Sequence, residues 1–171
     1  MTELTSLGDV VCAFTNPEPR LLGLGIVTGD EQWVNDESVE VAFETTGMFS
    51  LNAGSAHFRM RISAEVRMLP VLWIDMTVGY SAPDHYSVTK SAFLEYANRV
   101  AASVLRVKAQ AILDPLLVAA GLPPHILPAS LETDAEPFKG TQLPDILSPE
   151  AMTELREKPD LAIADYPSTE N

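Results

Sequence analysis

The first half of the chain alternates. From Ala56 to Val66, Ala56, Phe58, Met60, Ile62, Ala64 and Val66 point one way, and His57, Arg59, Arg61, Ser63 and Glu65 the other. Period two with one greasy and one wet face predicts a strand in an antiparallel sheet. Val39, Val41 and Phe43 alternate with Glu40, Ala42 and Glu44, and Asn52-Ala53-Gly54-Ser55 supplies the hairpin reversal. Beyond Leu69-Pro70, read as a break, Val71 to Tyr80 alternates again, with Leu72, Ile74, Met76, Val78 and Tyr80 on the apolar side. An earlier strand, Leu21 to Thr28, carries Gly23 and Gly25, which predicts a bend or bulge. Four strands in succession describe an antiparallel meander or a close variant of it.

From about Ser87 to Ala120 the period lengthens. Phe93, Ala97, Val100, Ala101, Val104 and Leu105 recur at helical spacing, followed by Ala111, Ile112, Leu116 and Ala119. Pro115 is expected to kink or divide this helix, and Gly121 with Leu122-Pro123-Pro124 to end it. Strands first and a helix afterwards predict an α+β fold: a four-stranded antiparallel sheet covered on one face by a long C-terminal helix. The domain is expected to span residues 1–131. Residues 132–171 hold ten acids against three bases, a net −7, and five prolines. They are expected to form an acidic, Pro-rich tail with one short helix over Ser148 to Glu157, Ser148 as its N-cap and Pro149 at its first position. Deleting residues 140–171 is expected to leave the fold intact.

Composition narrows the function. Of 171 residues, 46% are hydrophobic and 20% charged, a globular balance. The formal net charge of −13 disfavours nucleic acid as a partner. Cys12 is the only cysteine, so no internal disulfide forms and a cytoplasmic setting is expected, with Cys12 read as a small apolar residue. The N-terminus lacks a basic start and long apolar run, and no stretch is long enough to insert into a membrane.

Catalytic signatures are weak. Tyr86-Ser87-Val88-Thr89-Lys90 resembles the Tyr-x-x-x-Lys of short-chain dehydrogenases, in which one helical turn sets a lysine beside a phenol. Gly23-Leu24-Gly25 and Thr28-Gly29 do not precede a helical segment, so the dinucleotide turn that this chemistry needs is missing. His57, His85 and His125 lack metal-ligand spacing. Asp75 is read as a paired or solvated acid rather than a catalytic one. No catalytic residue, metal site or cofactor is expected.

The order of elements, with Ala119-Ala120-Gly121-Leu122-Pro123-Pro124-His125-Ile126-Leu127-Pro128 after the helix, resembles the SecB family of export chaperones over roughly residues 20–131. The resemblance implies a homotetramer that holds unfolded client proteins in apolar grooves without ATP. It extends to partners such as an antitoxin or the SecA motor. Candidate client-binding residues are Trp33 and Val34 in a polar loop, Met48 and Phe49 after Gly47, and Ile126 and Leu127 between prolines. The alternatives are a structural or assembly subunit, viral or otherwise, packed against fixed neighbours, and a dehydrogenase-like enzyme built on Tyr86 and Lys90.

Overall fold

A computed structural model describes residues 1–26, 41–66, 69–119, 137–140 and 143–156. Short β1 (Thr2–Leu4) leads into α1 (Leu7–Ala13). Four long strands follow: β2 (Thr15–Ile26), β3 (Val41–Asn52), β4 (Ser55–Val66) and β5 (Leu69–Ser81). Strand β6 (Tyr86–Thr89) then runs into the long helix, which comprises α2 (Lys90–Tyr96), a π-helical turn (Ala97–Ala101) and α3 (Ala102–Ala119). The described chain closes with β7 (Ile146–Leu147) and α4 (Pro149–Arg156).

The four long strands make an antiparallel sheet in the order β2-β5-β4-β3. Strands β3, β4 and β5 are a meander, and β2 closes beside β5 instead of beside β3, which gives a Greek-key order. Pairing of β3 with β4 runs unbroken from Val41↔Val66 to Asn52↔Ser55, and Gly54, at φ 76°, supplies the left-handed residue of the two-residue turn. The glycine-bearing strand does bulge: the β2–β5 register shifts between Leu21 and Gly23.

The expected buried face is present. Ala56, Phe58, Met60, Ile62 and Ala64 of β4, and Leu72, Ile74, Met76, Val78 and Tyr80 of β5, are all buried. Above them lie Phe93, Tyr96, Ala97, Ala101, Leu105, Ala109, Leu113 and Leu117 of the long helix. Small residues at Ala97, Ala101 and Ala109 let the helix sit close to the sheet.

Several local readings are corrected. Pro70 does not end a strand; it lies inside β5, opposite Glu65, where the β4 ladder already shifts register. Pro115 does not divide the helix, which continues to Ala119. Residues 86–89 are strand, not helix, because β6 adds to a second sheet of order β1-β6-β7, parallel to β1 and antiparallel to β7. Helix α1 is built on a capping box: Ser6 Oγ accepts from Asp9 N at 3.2 Å, and Asp9 Oδ2 accepts from Ser6 N at 2.9 Å. Only Val10 of that helix is buried, and Cys12 is exposed. Phe14 at its C-cap joins an aromatic cluster with Tyr80, Tyr86 and Tyr96 at 5.3–6.5 Å between ring centroids.

The acidic C-terminal segment adds to the core where it is described. Phe138, Leu147 and Met152 are buried to about 1% or less exposure. Leu147 pairs with Val88, and Ser148 Oγ accepts from Ala151 N at the start of α4. Gly121 to Pro124 and residues 157–171 lie outside the described residues.

Candidate client-binding surfaces

Of the three candidate pairs, the described residues include one. Trp33, Val34, Ile126 and Leu127 lie outside them. Strand alternation puts Met48 and Phe49 on opposite faces of β3. Met48 is opposite Arg59 on the outer face, whereas Phe49 is opposite Phe58 on the helix side, its ring centroid 4.6 Å from that of Phe93. Both are half-buried.

The outer face of the sheet is a polar platform around one indole. Trp73 lies against the backbone of β2: a Cβ at Gly23 would come within 2.8 Å of its ring, and one at Gly25 would overlap it. Arg61 lies over the ring, its guanidinium carbon 5.0 Å from the centroid. Beside it the buried Asp75 receives a bidentate pair from Arg59, Nε to Oδ1 at 2.9 Å and Nη2 to Oδ2 at 2.5 Å. The carboxylate inside an apolar strand is thus neutralised locally.

Among the described residues, two apolar surfaces are uncovered. The first is on β2, which among the described residues pairs with β5 alone and leaves its outer edge open. Pro17 and Pro19 blunt the first half of that edge, while Leu21 and Leu22 at the bulge are 44% and 52% exposed. The second is a stripe on α3 away from the sheet, Val107, Ala111 and Val118, with Val107 72% and Val118 59% exposed.

A third apolar surface is filled by the chain itself, and sequence reasoning missed it. Phe138 inserts between β3 and the long helix, edge-on to Phe58 at 5.7 Å. Its backbone is held by one side chain: Asn98 Nδ2 donates to Phe138 O at 3.1 Å, and Phe138 N donates to Asn98 Oδ1 at 3.0 Å. Asn98 belongs to the π-helical turn, a type of irregularity frequent at binding sites. Gly47 makes the room, since a Cβ there would meet the Phe138 ring and the Pro137 carbonyl at 2.7 Å. Lys90 Nζ donates to Leu143 O at 3.2 Å farther along. Burying one such ring contributes about 1.5–3 kcal/mol. The two amide bonds add about 1 kcal/mol each. Ordering residues 137–140 costs about 1–2 kcal/mol apiece, so the terms nearly cancel.

The dehydrogenase-like reading loses its geometry. Tyr86 is fully buried on a strand, and Lys90 begins the helix with its amine on Leu143. Desolvation, with the charge of Glu150 second, raises the Tyr86 phenol far above its ordinary value, the opposite of an activated phenolate. Among the described residues, no group of three His, Cys, Asp or Glu could hold a metal ion, and no helix is long and apolar enough to cross a membrane.

The four-stranded antiparallel sheet covered by one long helix has the SecB-like fold. The solved structures include a similar one, the Mycobacterium tuberculosis SecB-like chaperone Rv1957 in complex with a ChAD peptide from the antitoxin Rv1956 HigA1. It aligns with a TM-score of 0.52 at 11% identity, over 71% of this chain and 90% of that one. No family model matches the sequence, and no curated protein does.

Proposed function

We propose that this protein is an ATP-independent holding chaperone of the cytoplasm. It binds unfolded or partly folded polypeptides, either for export or as a dedicated client such as an antitoxin. The observation that carries this reading is the SecB-like fold, shared with a chaperone solved with an antitoxin peptide. The surface fits the task. An unfolded client offers apolar side chains and bare backbone, and β2 offers in return Leu21, Leu22 and a strand edge that is unpaired among the described residues. The net charge of −13 would keep such greasy surface dispersed. The Val107, Ala111 and Val118 stripe gives a second copy a helix face to pack on, which supports the homotetramer.

The test is suppression of aggregation. A chemically unfolded protein diluted into buffer without nucleotide should stay dispersed at stoichiometric amounts of this chain, which should run at four times its monomer mass. Free aggregation together with a monomeric mass would end the proposal. A stoichiometric folded partner without holding activity would favour the assembly-subunit reading.

A further inference from the structure

We propose that the pocket between Gly47, Phe58 and Asn98 is a peptide-binding site for extended segments with an aromatic anchor, occupied in cis by Pro137-Phe138 and vacated when a client binds. The inference rests on the chaperone reading and names the ligand class and regulation of one of its sites.

The contacts are those of a bound peptide. A peptide joined to a sheet by a full ladder would need unfolding to leave. Here the main chain of Phe138 is read by the Asn98 carboxamide, which uses one of its N–H donors and its oxygen acceptor and would hold any extended residue equally. Selectivity falls to the pocket. Phe58 presents its ring edge-on to the anchor, and Phe93 stacks behind Phe58 at 5.6 Å. Both partners are trimmed to meet: Gly47 in the receptor strand, and Gly140 in the strap, where a Cβ would run into Leu94. An aromatic residue followed closely by a small one is therefore the preferred sequence. Lys139 between them is exposed and reads nothing. Because one set of contacts serves both occupants, client and strap exclude each other. The strap then covers the aromatic floor whenever no client is present, which keeps it from gripping other copies.

The probe is a dye-labelled synthetic peptide with the sequence of residues 134–143. Phe138→Ala in the full chain should bind it at least tenfold more tightly than the unaltered chain, and adding Asn98→Ala should return affinity to the starting level. A second measurement does not depend on how well Phe138→Ala folds. In the isotope-labelled unaltered chain saturated with unlabelled peptide, exchange of the Phe138 amide hydrogen should speed up severalfold while β4 amides stay protected. Equal affinity of all three chains, no binding to any of them, or binding with Phe138 exchange unchanged would each overturn the proposal. The aggregation assay separates the two readings. Peptide exchange without holding activity removes the chaperone and keeps the pocket, and holding activity without peptide exchange does the reverse.

Discussion

Asp75 is a charged side chain that strand alternation alone leaves without a reason. The register explains it: Asp75 is buried on β5, and Arg59, diagonally across on β4 (Arg61 is directly opposite), supplies two charge-assisted bonds. Arg59 is 41% exposed at its side chain, so it keeps access to water when its partner is removed. Asp75→Ala should therefore cost about 1–3 kcal/mol, below the cost of stranding a fully buried charge. A urea titration would show this as a lower midpoint at unchanged slope; an unchanged midpoint would mean water replaces the pair at no loss. The paired-acid reading was available from the sequence, but its partner was not, since Arg59 and Asp75 meet only through the β4–β5 register.

At the scale of elements, the short pieces depend on their ends. Helix α1 buries a single residue, so its capping box carries much of its definition. Hydrogen bonds from the Ser6 side chain, then from the Thr5 and Ser6 backbone, hold the Asp9 carboxyl below its ordinary value of 3.8. A depressed folded-state value stabilises the fold above the unfolded one, and the effect is lost as pH falls through the folded value. Asp9→Ala should lower the thermal midpoint at neutral pH, and the gap from the unaltered chain should close only below pH 3.8. A gap that persisted at pH 2 would mean the carboxylate is not its source. The long elements behave differently. Twelve-residue β3 and β4 and the eighteen-residue α3 hold because their faces are buried, which is why Pro115 is tolerated inside the helix.

On the scale of the whole molecule, the C-terminal segment changes role. Its charge and prolines read as a tail, and its deletion from residue 140 was expected to leave the fold intact. The structure buries Leu147 and Met152 from that segment and pairs β7 with β6. Losing two buried side chains of this kind costs about 1.5–3 kcal/mol each, so removing residues 140–171 should lower stability by about 3–6 kcal/mol. Calorimetry of the shortened chain would show it; an unchanged melting temperature would mean these residues only rest on the surface.

Alternation in β4 and β5 and the helical spacing after Phe93 determined the sheet, its buried face and its helical roof, because each is a local pattern repeated over ten or more residues. The hairpin glycine and the bulge near Gly23 were legible for the same reason. Tertiary structure alone decided the closure of β2 onto β5, the conversion of residues 86–89 to strand, and the seating of Phe138 over Gly47. Each of these joins segments far apart in the chain, and no periodicity records which distant surface a short segment will meet.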